Sequence, residues 1–252
     1  MVGPEGVRSV LGERTRRFDL ASVTKLLSAY GVLIAFEEHS LDLADPLGPS
    51  GSTVAHLLAH ASGLGFTGSE PPAPVGTRRI YSNAGFELLG AELQARSGIA
   101  FAQYLDEALF APLEMGGATL SGSPAHGAAA GIEDLCRFAA ELFAPQLVSP
   151  GTLQLATSVA FPGLAGVVPG FGRYDPCDWG LGFELRGQKC PHWTGSTNSP
   201  ASFGHFGQSG TFLLIDPVAE LAVIVLSDRR FGPWAAAAWP ALLDAVLAEQ
   251  VA

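Results

Sequence analysis

The 252-residue sequence has little basic charge: Lys25 and Lys189 are its only lysines, and 24 acidic residues outnumber 14 basic ones. The formal net charge is −10, and the isoelectric point is near 4.9. Proteins that bind nucleic acids or anionic membranes present clustered positive charge to phosphate groups. The sequence contains no run of lysine and arginine. We therefore expect neither a nucleic acid nor a membrane as a partner.

Cysteine and long apolar stretches are also scarce. The three cysteines, Cys136, Cys177 and Cys190, form an odd set that does not indicate a disulfide framework. No basic segment followed by an apolar one opens the sequence, as a secretory leader would require. No uninterrupted apolar stretch reaches the roughly 18 residues that a membrane-spanning helix needs. We therefore expect a cytoplasmic protein without a membrane span.

The composition predicts a compact, mixed fold. Hydrophobic residues make up 48% of the chain and charged residues 15%, enough for a large core. Periodicity predicts helices over 22–38, 53–60, 84–96, 101–110, 132–143 and 234–249, and strands over 7–11, 179–185, 205–215 and 221–227. The first of these helices is apolar on every side, which indicates a buried helix. This order of elements is typical of an α+β protein.

We predict one domain over residues 1–252 with two lobes. An α/β lobe, about 1–45 and 175–252, would hold an antiparallel sheet flanked by helices. A helical lobe, about 46–174, would be inserted between the two parts of the sheet. The cleft should lie where the lobes meet, bordered by the loop at 63–76, which is rich in glycine and proline.

Ser22 and Lys25 lie three residues apart, on one face of the first predicted helix. A serine hydroxyl is a weak nucleophile until a base removes its proton. A lysine buried beside it could do so, because desolvation disfavours the ammonium form and lowers its pKa. Alternatively, Ser22 caps the helix and Lys25 lies on the surface. The apolar helix around Lys25 favours burial.

Tyr81 and Asn83 form a second candidate pair, between a loop and a helix. Tyr81 could accept or relay a proton if a nearby cation lowered its pKa, and Asn83 could bridge Lys25 and a substrate amide. The alternative is a tyrosine that covers the core and an asparagine that caps the following helix.

His205, Gly207 and Gln208 form the third candidate group, near the start of a predicted strand. A glycine inside a strand often marks a place where a ligand approaches the backbone. The backbone N–H of Gln208 could pair with that of Ser22 as an oxyanion hole. The alternative is a β-bulge with a histidine in the core.

Together these residues resemble the serine β-lactamase and penicillin-binding protein superfamily. Ser22 to Lys25 matches its S-x-x-K motif, Tyr81 to Asn83 matches Y-x-N, and His205 to Gly207 matches H-x-G. The segments 57–64, 112–115 and 179–183 resemble three further family sequences, LLxHxSGL, PLGM and a glycine-rich strand. The resemblance runs from about residue 20 to 228 and implies a β-lactamase/transpeptidase-like fold.

The resemblance also implies a mechanism of acyl transfer without metal or cofactor. Ser22 would attack a carbonyl, and Lys25 and Tyr81 would move the proton. The N–H groups of Ser22 and Gln208 would hold the oxyanion, while Asn83 and His205 line the site. Water would then release the acyl group from the enzyme.

The sequence departs from the family where H-x-G replaces K-T-G, because this change removes the lysine that usually binds a β-lactam carboxylate. We therefore favour a serine hydrolase that acts on small esters or amides, foremost an esterase. The alternatives are a D-amino-acid peptidase or β-lactam-binding protein, and a catalytically silent binding protein on the same scaffold.

Two other groups of residues do not fit a functional motif. His192 and Gly195 have the wrong spacing for a third motif, and we predict a loop near the mouth of the cleft. Cys177, Cys190 and His192 do not have the spacing of a common zinc site. We expect His60 to be structural. The sequence contains no G-x-S-x-G motif, which would indicate an α/β-hydrolase.

Overall fold

The computed structural model describes the backbone of residues 1–251 and the side chains of residues 1–250. Residues 1–251 form seven α-helices, namely α1 Thr24–Glu37, α2 Val54–Leu58, α3 Asn83–Ser97, α4 Phe101–Leu105, α5 Ile132–Phe143, α6 Pro150–Ala156 and α7 Pro233–Val251. Eleven strands are β1 Val2–Gly3, β2 Gly6–Val7, β3 Phe18–Asp19, β4 Thr119–Leu120, β5 Ala128–Ala130, β6 Gly166–Val168, β7 Gly172–Tyr174, β8 Glu184–Leu185, β9 Phe203–Gly207, β10 Thr211–Asp216 and β11 Leu221–Val225.

The main sheet has six antiparallel strands in the order β2-β1-β11-β10-β9-β8. It joins the two ends of the described chain, because Val2 of β1 pairs with Ala222 of β11. The strands β9, β10 and β11 follow one another as hairpins. The predicted antiparallel sheet built from distant parts of the sequence is therefore confirmed.

The sheet is buried on both faces, because successive side chains of a strand point to opposite sides. Leu213 and Ile215 of β10 belong to the larger core, together with α1 and α5. Phe212 and Leu214 of the same strand belong to a second core with Trp239 of α7. All six residues of β10 are buried. Helices thus flank the sheet on both sides, as predicted.

Helix α1 crosses the centre of the protein, and twelve of its fourteen residues are buried. Its apolar side chains surround the helix axis, which is the reason for burial on every side. Gly31 allows close packing here, because a Cβ at this position would lie 2.3 Å from the Cδ2 atom of Leu105. The prediction of a buried central helix is confirmed.

Several predicted elements differ from the observed ones. The strand predicted at 7–11 is wrong beyond Val7, because Leu11 is fully exposed and has no apolar surface to cover. The strand predicted at 205–215 is two strands, β9 and β10, joined by a turn at 208–210. The helix predicted at 101–110 changes to one π-helical turn, Asp106–Phe110, after α4. Helix α6 was not predicted.

The division into lobes remains a prediction. Helix α5 falls within the stretch assigned to the helical lobe, but it packs against β1, β10 and β11 of the sheet. The predicted single domain includes Ala252, which lies outside the described residues.

Candidate active site

Ser22 lies in a short 3₁₀ turn, Ala21–Val23, between β3 and α1. Ala21 has a φ of 45°, so the chain turns sharply in the left-handed region just before the serine. The N-cap of α1 is Val23, with no side-chain capping bond, so Ser22 does not cap this helix. The α-helix thus begins two residues later than predicted. The half-buried Ser22 lines a cavity instead.

Lys25 is completely buried in the first turn of α1. Its Nζ atom donates to Oδ1 of Asn83 at 2.6 Å and to the carbonyl of Ala125 at 2.9 Å. Burial lowers the pKa of Lys25 to about 7, while the more distant Glu87 carboxylate opposes this shift. The surface alternative for Lys25 is therefore wrong. Near neutral pH a substantial fraction of this amine is uncharged.

The ring of Tyr81 lies beside this amine, with 4.7 Å between its centroid and Nζ of Lys25. The Tyr81 hydroxyl is buried near Ser22, but it has no hydrogen-bond partner with good geometry within residues 1–251. Burial raises its pKa well above the ordinary value of 10, and the neighbouring Ser22 only partly offsets this. The idea that a cation lowers the pKa of Tyr81 is therefore wrong. At neutral pH Tyr81 is a phenol that can donate its proton.

Asn83 is the first residue of α3, and its side chain faces Lys25 rather than the helix. The cap of α3 is Ser82, whose hydroxyl accepts from the N–H of Gly85 at 3.0 Å. The helix-cap alternative for Asn83 is therefore wrong by one residue. Because the Asn83 oxygen is used by Lys25, its amide NH₂ group remains available to a ligand.

His205 is buried in β9, and its Nδ1 lies 2.6 Å from the carbonyl oxygen of Phe206. A carbonyl only accepts hydrogen bonds, so Nδ1 carries the proton and Nε2 does not. Burial lowers the pKa of His205 to about 4, with a further contribution from Lys25. The imidazole is therefore neutral at neutral pH. It provides no positive charge where K-T-G relatives carry a lysine.

Gly207 brings the end of β9 against the turn that holds Ser22. A Cβ at Gly207 would lie 2.3 Å from the carbonyl oxygen of Leu20 and 2.8 Å from Oγ1 of Thr211. Thr211 also donates to the Leu20 carbonyl at 3.0 Å. Only a glycine permits this approach.

Outside the regular helices and strands of residues 1–251, the backbone N–H groups of Ser22 and Gln208 make no hydrogen bond to a backbone carbonyl. Both residues line the same cavity. Two unpaired N–H groups on one cavity wall can stabilise a developing oxyanion.

The cavity has a volume of about 180 Å³. Its walls are mainly apolar and aromatic, and its lining residues are Ser22, Phe66, Tyr81, Val168, Pro169, Trp179, Glu184, His205, Phe206 and Gln208. Lys25 and Asn83 are not among them, but Lys25 lies against the ring of Tyr81 and bonds to Asn83. The predicted role of the 63–76 loop as a border of the cleft is confirmed by Phe66. The structure therefore brings residues of all three predicted groups to one site, where Tyr81 contacts both Lys25 and His205.

The sequence matches a known protein family over most of its length. A model of the beta-lactamase family matches residues 12–248. The chain belongs to the beta-lactamase family.

Solved structures support the same beta-lactamase assignment. A beta-lactamase from Mycobacterium bovis is 51% identical, with a TM-score of 0.98 over 100% of this chain and 93% of that one. A penicillin-binding protein from Bacillus halodurans is 18% identical, with a TM-score of 0.73 over 94% and 88% of the two chains. Simvastatin synthase from Aspergillus terreus has 18% identity and a TM-score of 0.75 over 96% and 86%. The last two likenesses concern the fold alone.

Curated sequences match over a shorter stretch. A provisionally described D-alanyl-D-alanine carboxypeptidase from Salmonella enteritidis is 38% identical over 66 residues, which is 25% of this chain. The matched part is 15% of the length of that relative.

None of the helices between residues 1 and 251 is both long and apolar enough to cross a membrane.

Glu184 is a site residue of this beta-lactamase family member that the sequence pattern did not predict. It is 1% exposed, lines the cavity and accepts hydrogen bonds from Nε2 of His192 and Nε1 of Trp193 at 2.9 and 2.8 Å. Nζ of Lys189 lies 3.6 Å away. Burial alone would raise the pKa of Glu184, but His192 and Lys189 together lower it to about 2. The one sign of Glu184 in the sequence is that it is a single acidic residue inside the apolar segment 179–185.

The segment around His192 is a loop, as predicted, but its position is corrected. His192 and Thr194 are buried behind Glu184 rather than exposed at the mouth of the cleft. Within residues 1–251 no group of His, Cys, Asp and Glu side chains could hold a metal ion. His60 is buried too, and its Nδ1 accepts from the N–H of Ser82 at 3.2 Å.

Proposed function

We propose that this chain is a serine hydrolase that forms an acyl-enzyme on small esters, with Ser22 as the nucleophile. The observation that carries the proposal is Lys25, which is fully buried, bonded to Asn83 and held near a pKa of 7 by its burial. A charged amine without a carboxylate partner is costly to bury, and buried groups with strongly shifted pKa values are concentrated at functional sites.

In acylation, Lys25 in its neutral form would receive the proton of the Ser22 hydroxyl as the serine oxygen attacks the substrate carbonyl. The N–H groups of Ser22 and Gln208 would stabilise the oxyanion. When the tetrahedral adduct collapses, the bond to the leaving alcohol breaks. Tyr81 would give its proton to the leaving oxygen and take the proton that Lys25 had received.

Deacylation would reverse these proton movements with water as the nucleophile. Lys25 would accept a proton from the attacking water, because Tyr81 remains a neutral phenol at this pH. The acyl group leaves as a carboxylic acid, and the Ser22 hydroxyl regains its proton. No group beyond the side chains of the site is needed for the balance of protons.

Two features favour small esters over β-lactams as substrates. The cavity beside Ser22 is small and mainly apolar, and His205 is neutral at neutral pH. A β-lactam carboxylate would therefore find no cation at the H-x-G strand. Small acyl groups would fit between Phe66, Trp179 and Phe206.

The experiment compares hydrolysis of p-nitrophenyl esters by the wild type, Ser22→Ala and Ser50→Ala. Ser50 is an exposed serine outside the cavity and serves as the matched control. We expect activity and labelling by a fluorophosphonate probe in the wild type and Ser50→Ala, and neither in Ser22→Ala. Activity that survives Ser22→Ala would refute the nucleophile. A folded wild type that the probe does not label would favour the silent binding protein.

A D-amino-acid peptidase or β-lactam-binding protein is the second candidate function. It is favoured by the 51% identity to a chain named as a beta-lactamase and by the shorter match to a carboxypeptidase. Intact-mass measurement after incubation with a penicillin tests it. A stable adduct on Ser22 would support this function, and its absence at high penicillin concentration would contradict it.

A further inference from the structure

A second cavity adjoins the one that contains Ser22. It has a volume of about 540 Å³ and shares Phe66, Tyr81 and Pro169 with the first cavity. No residue of β9 and no aspartate or glutamate is among its lining residues. Its far wall comes from the segment 77–80 and from the hairpin of β6 and β7.

Three arginines line this second cavity: Arg78, Arg79 and Arg173. The whole sequence has 14 basic residues against 24 acidic ones, so three arginines around one cavity contrast with the charge of the molecule. Positive side chains at a cleft in an otherwise acidic protein attract anions to that cleft.

Arg79 is a buried cation whose partners are all backbone carbonyls. Its guanidinium donates to the carbonyl oxygens of Cys177, Ala59, Ala160 and Phe161. No carboxylate bonds to it, and burial lowers its pKa only to about 10, so it stays charged at neutral pH. Its charge is therefore not neutralised by a direct partner.

Arg78 and Arg173 are exposed and free to contact a ligand. Arg78 forms no salt bridge or side-chain hydrogen bond within residues 1–251. Arg173 has one loose partner, the exposed Asp175 at 3.6 Å. Guanidinium groups at such a place suit a carboxylate, which they can bind through paired hydrogen bonds.

We propose that this second cavity is an anion subsite, in which Arg78 and Arg173 bind a carboxylate on the leaving group of the substrate. The inference rests on the proposed ester hydrolysis, in which Tyr81 protonates the leaving oxygen. Because Tyr81 lines both cavities, a leaving group that takes its proton from Tyr81 can extend into the cavity of the arginines. The positive charge absent from the H-x-G strand is thus supplied from the opposite side of Tyr81.

The test uses two acetate esters of p-nitrophenol that differ at one substituent of the ring. One carries a carboxylate beside the nitro group, and the other carries the primary amide in its place. We expect the wild type to favour the carboxylate ester in kcat/KM by about fivefold to tenfold, as two partly solvated ion pairs would give. The preference should fall with added salt.

Arg78→Gln and Arg173→Gln should each reduce this preference by about threefold, and the double variant should abolish it. The turnover of the amide ester should fall less than that of the carboxylate ester in all of them, because no ion pair is lost. Arg137→Gln is the matched control, because Arg137 is an exposed arginine of α5 outside both cavities. It should keep the full preference.

A second measurement separates this subsite from the proposed function. Calorimetry with Ser22→Ala gives the Kd of the two free phenols, the carboxylate and the amide, without any turnover. Tighter binding of the carboxylate phenol that is lost in the Arg78→Gln/Arg173→Gln background supports the subsite even if the esters are not cleaved. Equal Kd values, or a preference that survives the double substitution, would overturn it. Hydrolysis that depends on Ser22 but is equally fast with the carboxylate ester and the amide ester would overturn the subsite. The esterase proposal would still stand.

Discussion

Lys25 is the residue on which the chemistry of the site depends, and its protonation gives the first prediction. The neutral amine is the proposed base, so kcat/KM should rise with pH through about 7 and level off above it. Glu87 raises the pKa of Lys25, so Glu87→Gln should move this rise to lower pH. The measurement is a pH profile of kcat/KM with a neutral ester.

The matched control for this profile is Glu92→Gln, another acid of α3, whose carboxylate pairs with Arg96. Its profile should coincide with that of the wild type. A wild-type rate that does not change between pH 5 and pH 9, or a shift to higher pH in Glu87→Gln, would contradict the assignment of Lys25 as the base.

Gly207 gives the second prediction at the scale of one residue. In Gly207→Ala, the new methyl group must displace the Leu20 carbonyl or β9, and with it the turn that holds Ser22. Overpacking of this kind costs about 1–3 kcal/mol of stability. A displaced nucleophile can cost about 10²-fold in rate. Thermal unfolding and ester kinetics measure the two effects.

Gly116→Ala is the control, since nothing lies within 4 Å of a Cβ at that position. It should leave both the Tm and the rate near the wild-type values. A fully active Gly207→Ala would mean that the close approach of β9 to Ser22 is not required.

The candidate site could be predicted at the level of single residues because its chemistry is local. Ser22 and Lys25 lie within one helical turn, and Tyr81 and Asn83 are two residues apart. Glu184 was not predicted because its place in the site depends on contacts with Lys189 and His192, which form only in the folded chain. A lone acid in an apolar segment does not reveal which partners will neutralise it.

At the scale of the element, β8 is joined to the following loop by the Glu184 cluster. Glu184→Gln would leave Lys189 buried without its carboxylate, which typically costs about 3–5 kcal/mol. The double variant Glu184→Gln/Lys189→Met removes both charges and should regain part of this loss. Urea unfolding measures the difference. A single variant as stable as the wild type would contradict the role of the pair.

The same cluster makes stability depend on pH. The pKa of Glu184 is lowered from 4.5 to about 2 in the folded protein. A lowered carboxyl pKa stabilises the fold fully above the unfolded value, and this contribution is lost as the pH falls from 4.5 towards about 2. The acid limb of unfolding should therefore be shallower in Glu184→Gln than in the wild type.

Helices α1 and α5 are connected by one buried hydrogen bond, from the Tyr30 hydroxyl to Oε1 of Glu141 at 2.7 Å. Tyr30→Phe should cost about 1–3 kcal/mol, because it removes one donor from a buried carboxyl oxygen. Tyr104→Phe, which removes a similar bond to the exposed Glu38, should cost less. Ester hydrolysis by both variants should be unchanged. Equal stability losses would argue that burial of Glu141 does not matter.

Elements were predictable where apolar periodicity was strong and long. Helix α1 and the hairpin of β10 and β11 follow from such patterns. The boundary between β9 and β10 was not visible, because Gln208 and Ser209 are not strong turn residues and the turn depends on Gly210, with a φ of 88°. Helix α6 has only seven residues, too few to show a period.

At the scale of the whole molecule, the sheet depends on the first strand meeting the last part of the chain. Val2 is fully buried between this sheet and α5, whereas Val7 on the neighbouring strand is 52% exposed. Val2→Asp would bury a charge and should lower the free energy of unfolding by several kcal/mol. Val7→Asp should change it by about 0.5 kcal/mol or less. Equal Tm values for the two variants would contradict this arrangement.

The fold class was predictable from the order of elements, but the placement of α5 was not. Its sequence position suggested the helical lobe, and only tertiary contacts with β1, β10 and β11 place it on the sheet. A single sequence shows which face of a helix is apolar but not which surface will cover that face.

Both lysines of the chain are buried, with exposed fractions of 0% for Lys25 and 3% for Lys189. An endoprotease that cuts only after lysine therefore has no accessible peptide bond of its kind in the native protein. Cleavage requires that α1 or the segment at 189 first opens, so the cutting rate reports the population of the opened forms. Reagents that acylate side-chain amines would likewise mark molecules that have lost their structure. The chain thus carries two built-in probes of its own unfolding, one in each half.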